Sequence, residues 1–93
     1  MYYATHILYL SKENLLKLHV VEVADKKVLS FFPFDGEREA MLWTDALVLT
    51  NNPLPSFVSN IEECLPDSFN IDMPYLLYAV EKSAKGFILK KIC

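Results

Sequence analysis

The chain has 93 residues, of which 53% are hydrophobic and 13% aromatic, and its net charge is −3. This composition is sufficient for one folded domain over 1–93, and it excludes a disordered chain and the basic surface that nucleic-acid binding requires. The two cysteines, Cys64 and Cys93, are too few for a secreted disulfide framework. We find no signal peptide and no apolar run of membrane-spanning length, and we therefore expect a cytoplasmic protein that does not enter a membrane.

The first predicted element is a β-strand over 2–10, followed by a polar turn over 11–14. Because both of its faces are largely apolar, we expect it to lie in the middle of a sheet or to be covered on both sides. Strict alternation assigns its residues to two faces, with Tyr3, Thr5, Ile7 and Tyr9 on one and Tyr2, Ala4, His6, Leu8 and Leu10 on the other.

A β-hairpin over 15–34 is the clearest pattern in the chain. Its first arm contains Val20, Val21 and Val23, whose branched side chains lose rotamer freedom in a helix and pack well on a sheet. The charged residues 25–27 predict the turn between the arms.

The second arm of this hairpin is rich in phenylalanine and contains Pro33. Since proline cannot donate a hydrogen bond to a neighbouring strand, we expect this arm at the edge of the sheet. Alternation assigns its apolar residues to two faces, Leu29 and Phe31 on one and Val28, Phe32 and Phe34 on the other.

After a predicted turn at Asp35-Gly36, residues 40–50 fit either a helix or two short strands. Alanine, methionine and leucine at the start of this segment favour a helix. The strand formers near its end and the interruption at Thr44-Asp45 favour strands around 41–43 and 46–50 with a kink between them, and we prefer this interpretation.

The C-terminal half begins with an extended passage over 51–55, which contains two prolines. The pair Ser59 and Glu62 matches a capping box and predicts a short helix that ends at Pro66. For the segment from 73 to 86, helix-forming residues favour a helix, and the alternative is a hairpin whose second arm is the strand predicted over 87–92. The predicted fold is therefore mainly β, as a small antiparallel sheet, sandwich or half-barrel with one or two short helices in the C-terminal half; an α+β fold is the alternative.

The residue types that carry catalysis or bind metals do not form a recognisable pattern. His6 and His19 each stand between apolar neighbours, and the sequence contains no HxH, HExxH or CxxC motif. Cys64 follows Glu62 and Glu63, whose negative charges would raise the pKa of a thiol and reduce its reactivity. We therefore predict no catalytic, cofactor-binding or metal-binding residue, and a protein that is not an enzyme.

The aromatic residues are the strongest indication of function. Five tyrosines, six phenylalanines and one tryptophan are more than a core of this size is expected to bury, although a tyrosine-rich core with its hydroxyls in solvent is the alternative. We expect a protein interface that includes Leu29, Phe31, Phe32, Phe34 and Trp43.

The second hairpin arm lacks the lysines that usually protect an exposed edge, which predicts a homo-oligomer or a protein partner. The sequence thus favours a non-catalytic domain that acts by self-association or partner binding. The alternatives are a small-molecule-binding module with an aromatic-lined cavity and a small enzyme or enzyme subunit that uses His6 or His19.

The layout over 3–50 also resembles the composite domain, a small β-sandwich, of amidohydrolase-type metal-dependent hydrolases. In that family an opening strand precedes a hairpin with a turn similar to Asp25-Lys26-Lys27-Val28, and a strand similar to 47–50 leads to the metal motif. Here Lys26 replaces the glycine of the turn, and Asn51-Asn52-Pro53 stands where an HxH motif would follow. The resemblance implies an accessory β-domain or accessory subunit without the catalytic barrel, and it assigns no catalytic or metal residue.

Overall fold

The structure is a computed structural model that describes residues 1–72 and 74–93. Seven strands form one mixed sheet in the order β3-β2-β1-β4-β6-β7-β5. Within the described residues, neighbouring strands are antiparallel except β1 and β4, which run parallel. The strands are β1 (Tyr2–Tyr9), β2 (Leu15–Ala24), β3 (Lys27–Pro33), β4 (Met41–Thr50), β5 (Phe57–Val58), β6 (Leu76–Ser83) and β7 (Gly86–Lys91).

The prediction of a mainly β fold is confirmed. The predicted antiparallel sheet is wrong at one place, because β1 and β4 pair in parallel. Neither of the predicted helices forms as an α-helix in the described residues. A single 3-10 turn over Ile61–Cys64 replaces the first helix. Its cap is Asn60 and not Ser59, because the Asn60 side-chain oxygen accepts the Glu62 N–H at 3.4 Å, so the capping-box interpretation is wrong by one residue.

The helix preferred for the last segment is also wrong, and the hairpin alternative is the observed structure. β6 and β7 pair from Tyr78 with Lys91 to Ser83 with Gly86, and residue 73 of the expected helix lies outside the described residues. The reason is burial: Leu77, Tyr78 and Leu89 are packed into two core clusters on the sheet, and this packing outweighs a weak helix propensity.

The hairpin predicted over 15–34 is confirmed as β2 and β3, and β3 is the edge strand that Pro33 predicts. The turn residues Asp25 and Lys26 have φ values of 52° and 61°. Two consecutive residues with positive φ are typical of a type I′ turn, whose twist matches that of the two strands.

The main core lies on the inner face of the curved sheet. The curvature is large enough to bring the edge strand β3 back close to β6. The buried residues of this cluster are Leu8, Leu10, Val21, Val23, Val28, Leu47, Leu49, Tyr75 and Leu77. A smaller cluster on the outer face is covered by the passage that contains Leu54, β5 and the 3-10 turn, and it includes Val48, Val58, Ile61, Leu65, Tyr78 and Leu89.

A kink crosses three adjacent strands along one row of the sheet. The ladder pairs Thr5 with His19 and Thr44, and Ile7 with Lys17 and Ala46; within the described structure, no pair forms at His6, Leu18 or Asp45 between them. Leu18 has a φ of 51°. The Thr5 hydroxyl donates to the Ile7 carbonyl at 2.8 Å and accepts the Ile7 N–H at 3.3 Å. It therefore bonds backbone groups to which the interrupted ladder gives no strand partner.

This kink reverses which face the alternating residues occupy. Tyr3 packs against the same inner cluster as Leu8, and Leu16 against the same cluster as Val21. The faces predicted for the first strand are therefore wrong, because strict alternation does not hold past the kink. The segment 41–50 is one strand that bends at Asp45, and not two separate strands.

A β-bulge in β3 has the same effect on the hairpin's second arm. Glu22 pairs with Ser30 but Val23 pairs with Val28, so Leu29 is an extra residue without a partner in the β2 ladder. As a result Val28 and Phe31 both contact the inner core. The prediction that Leu29 and Phe31 share a face opposite Val28 is wrong for this reason.

Candidate functional site

The outer face of the N-terminal half of the sheet carries a group of aromatic side chains that we call the aromatic face. Its members come from strands β1 and β4 and from β3 and the residue that follows it. Trp43 packs against two of the others, with ring centroids 5.1 Å from Phe34 and 5.4 Å from His6, and the rings of Tyr2 and Phe32 form a second pair at 6.4 Å. The aromatic face consists of Tyr2, His6, Phe32, Phe34 and Trp43.

Small residues between these rings explain why the rings can lie close together. Ala4 pairs with Val20 on one side and with Trp43 on the other, and Val20 pairs with Phe32. Both Ala4 and Val20 are fully buried, although they lie on the outer side of the sheet. Their short side chains leave space that the neighbouring rings fill, so the aromatic face is already packed before any partner binds.

Arg38 extends the aromatic face with a positive charge. Its guanidinium carbon lies 4.7 Å from the ring centroid of Phe32 and 5.1 Å from that of Tyr2, which is a cation–π geometry. Its Nη2 also donates to both carboxylate oxygens of Asp35, at 2.9 and 3.2 Å. Hydrogen bonding with Tyr2, followed by that with Asp35, raises the pKa of Arg38, so the group is charged at every accessible pH.

A cleft of about 320 Å³ adjoins Trp43, where the sheet divides. β4 pairs with β6 only between 47–50 and 76–79 in the described structure, so the two strands separate beyond Ala79. Trp43, Asp45 and Glu81 line the cleft. Glu81 holds Lys90 at 3.0 Å, and the cleft therefore offers carboxylate acceptors beside an aromatic wall.

The structure brings together three of the five residues predicted at an interface. Phe32, Phe34 and Trp43 belong to the aromatic face, and Trp43 is 43% exposed. Phe31 instead packs inside the curved sheet, with ring centroids 6.1 Å from Phe69 and 6.5 Å from Tyr75. Leu29 is exposed, but it lines a different cavity near β6.

Sequence reasoning missed Tyr2, His6 and Arg38 as parts of this surface. Alternation does place Tyr2 and His6 on one face of the first strand. Their proximity to Trp43 depends on the parallel pairing of β1 with β4, and no local sequence signal reports such a pairing. Arg38 reaches the rings from the loop over 34–40, whose end is held by the Tyr2 N–H donating to the Ala40 carbonyl at 3.1 Å.

The histidines and cysteines occupy separate environments. His6 lies against Trp43, whereas His19 Nδ1 lies 3.0 Å from the Lys17 carbonyl oxygen. Among residues 1–72 and 74–93, no three His, Cys, Asp or Glu side chains are grouped so that they could hold a metal ion.

Both thiols are less acidic than an ordinary cysteine. Burial, and then the charge of Glu63, raises the pKa of Cys64, and its Sγ donates to the Ile61 carbonyl at 3.1 Å. Burial also raises the pKa of Cys93, although its backbone hydrogen bond with Leu77 and the charge of Lys91 act in the opposite direction. A thiol of this kind is a poor nucleophile at neutral pH because little of it is ionised.

Fold and site together define a class: a small mixed β-sheet protein with a preformed aromatic surface. No protein-family model, curated protein or solved structure matches the chain. The resemblance of 3–50 to the composite domain of amidohydrolases therefore stays a prediction. None of the helical segments in the described ranges is long and apolar enough to cross a membrane.

Proposed function

We propose that this chain is a non-catalytic cytoplasmic domain that acts through protein association at the aromatic face, with a second copy of itself as the partner. The observation that carries the proposal is that two aromatic groups lie on one face of the sheet: Tyr2 and Phe32 beneath Arg38, and Trp43 with Phe34 and His6. Tryptophan, tyrosine and arginine are the residues that most often dominate the binding energy of protein interfaces. The cytoplasmic assignment is supported by the two free cysteines, which suit a reducing compartment.

The packing of the aromatic face lowers the cost of association. Side chains that must be immobilised when two proteins bind lose conformational entropy, and each such side chain reduces the affinity. Here the rings already restrain one another, and Arg38 is held by Asp35. A partner therefore covers apolar area without ordering many side chains.

Charged groups border the aromatic face on two sides. Arg38 lies at the side of Tyr2 and Phe32, whereas Asp45 and Glu81 line the cleft beyond Trp43. Arg38 is already paired with Asp35 and Glu81 with Lys90, so these charges do not by themselves select the partner. A second copy is the simplest partner, because twofold dimers are the commonest closed assemblies of identical chains.

The test is the mass in solution of three proteins: wild type, Trp43→Lys and Leu42→Lys. We expect wild type to be a dimer at about 10 μM by light scattering, and Trp43→Lys to raise the dissociation constant by about 30-fold or more, as the loss of a central aromatic does. Leu42→Lys is the matched control. Leu42 is the neighbouring residue of the same strand and is 49% exposed. It pairs with Tyr3, which packs against the inner core, so Leu42 does not belong to the aromatic face.

The far-UV circular dichroism spectrum of all three proteins should remain that of a β-sheet. A monomeric wild type at about 100 μM would contradict the proposal, because the dimer would then be absent at about ten times the concentration at which we expect it. Equal dissociation by Leu42→Lys and Trp43→Lys would also contradict it, because the interface would then not be the aromatic face.

A further inference from the structure

A second cavity lies where the curved sheet closes on itself, away from the aromatic face. The start of β3 approaches the start of β6 there, and the space between them is about 480 Å³. This volume lies within the range of pockets that bind small molecules. The walls are mainly apolar and consist of Val28, Leu29, Pro74, Tyr75, Leu76 and Cys93.

Three lysines contribute the charged side chains among the described residues that line this cavity. Lys26 and Lys27 from the β2–β3 turn and Lys91 from β7 line it, and all three are exposed. Within the described residues, none of these ammonium groups has a carboxylate at ion-pair distance, whereas the adjacent Lys90 is paired with Glu81. The lining residues in the described ranges include no Asp or Glu side chain.

A cavity lined by apolar residues and by three lysines without an ion pair in the described residues fits one class of ligand better than others. A purely apolar molecule would leave the lysines unused, and a small anion would leave the apolar walls exposed to water. A molecule with an anionic head and an alkyl chain satisfies both parts of the cavity. The lysines suit such a ligand, because their methylene stems can pack on the chain while the ammonium groups hold the head.

We propose that this cavity binds a free alkyl carboxylate, with the chain between Leu29 and Leu76 and the carboxylate at Lys26, Lys27 and Lys91. The volume accommodates a chain of roughly twelve carbons, since one water-sized group occupies about 30 Å³. This site goes beyond the proposed association, because it lies at a different part of the sheet and uses none of the residues of the aromatic face.

The first test is calorimetric titration with dodecanoate below its micelle concentration. We expect one molecule per chain and an affinity that falls by about fourfold for each methylene removed toward octanoate, as burial of an alkyl chain requires. Dodecyltrimethylammonium, which has the same chain and the opposite charge, should bind at least about tenfold more weakly. Equal binding of the two amphiphiles, or no dependence on chain length, would overturn the proposal.

Cys93 provides an independent readout because it lines the cavity, and Cys64 provides an internal control in the other core cluster. Bound dodecanoate should slow the alkylation of Cys93 by N-ethylmaleimide, measured peptide by peptide with mass spectrometry, and should leave Cys64 unchanged. Equal protection of both thiols would place the effect on overall stability and contradict a site at the cavity.

Charge-reversal variants locate the head group. Lys27→Glu/Lys91→Glu should weaken dodecanoate by about tenfold or more, whereas Lys82→Glu/Lys85→Glu, at the opposite end of the β6–β7 hairpin and with the same change in net charge, should not. Phosphatidylglycerol vesicles test a membrane as the alternative source of the anion. Binding to vesicles without binding of monomeric dodecanoate would overturn the proposal of a free ligand. If all these variants still form the dimer at the aromatic face, the ligand site and the dimer interface are independent of each other, and failure of one proposal leaves the other intact.

Discussion

At the scale of single residues, unusual backbone conformations stand where the sheet turns or bends. Four described residues other than glycine have a positive φ: Leu18, Asp25, Lys26 and Ala40. Such a conformation costs an ordinary residue about 1–2 kcal/mol. Asp25 and Lys26 make the tight hairpin turn, Leu18 lies in the kinked row, and Ala40 accepts the hydrogen bond from Tyr2. The conformational cost of these positive-φ residues therefore falls at the points that set the shape of the sheet.

Burial of Val21 gives the first prediction. Val21 is fully buried in the inner core, so Val21→Asp should lower the free energy of unfolding by about 3–5 kcal/mol and unfold the domain, because the carboxylate would have no partner there. Leu18→Asp is the control on the same strand, since Leu18 is 49% exposed and aspartate tolerates a positive φ. Thermal melting followed by circular dichroism distinguishes them, and equal melting temperatures would mean that Val21 does not face the core.

The raised pKa values of the two thiols and of Tyr75 predict how the free energy of unfolding depends on pH. Burial raises the pKa of Cys64 and Cys93 above the ordinary thiol value of 9.0, and that of Tyr75 above 10.0. A raised pKa means that the folded protein binds these protons more tightly than the unfolded chain does. Their contribution to stability is therefore complete below about pH 9 and is lost as the pH rises through the folded-state values.

Urea unfolding in a reducing buffer measures this effect. The midpoint should fall between roughly pH 8 and pH 11, and Cys64→Ala/Cys93→Ala should reduce the fall, with the remainder due to Tyr75. A midpoint that stays constant over this range would show that the three groups ionise equally well in the folded protein.

At the scale of elements, local sequence patterns were sufficient to predict a strand that pairs with the next strand in the chain. Val20, Val21 and Val23, the charged spacer and Pro33 correctly predicted a hairpin with an edge strand. Alternation failed at the kink and at the Leu29 bulge, because one irregular residue moves every later side chain to the other face. The β6–β7 hairpin was only the alternative prediction, because its residues favour a helix in isolation and only burial against the rest of the sheet decides otherwise.

The kinked row gives a prediction at this scale. Thr5 is fully buried, and its hydroxyl is bonded to both the N–H and the carbonyl of Ile7. Thr5→Val keeps the shape and removes these bonds, which should lower the free energy of unfolding by about 1–3 kcal/mol. Thr5→Ser keeps the hydroxyl and should lose less. Chemical denaturation of the two variants measures the difference, and a Ser variant as unstable as the Val variant would show that the methyl group, and not the hydroxyl, matters at this position.

At the scale of the whole molecule, the sheet order joins parts of the chain that no sequence pattern connects. The parallel pairing of β1 with β4 completes the aromatic face, and the approach of β3 to β6 forms the cavity that three lysines line. A single mainly β chain with an aromatic surface was predictable from composition. The residues that make up each site could not be predicted from the sequence, because they depend on which distant strands become neighbours. The prediction of a dimer belongs to this scale, since it requires the whole aromatic face and not one residue.

The position of β1 inside the sheet, and not at its edge, also has a consequence for synthesis in the cell. β1 is hydrogen-bonded to β2 on one side and to β4 on the other, and Tyr2 pairs with Met41. The ribosome adds about 5–20 residues per second, so β1, β2 and β3 emerge as an incomplete meander for a time on the order of seconds before β4 follows. During that interval the free edge of β1 exposes unpaired backbone groups between apolar side chains, which is the kind of surface through which incomplete chains aggregate. Slowing translation after Pro33 lengthens this interval, so it should reduce the yield of folded chain.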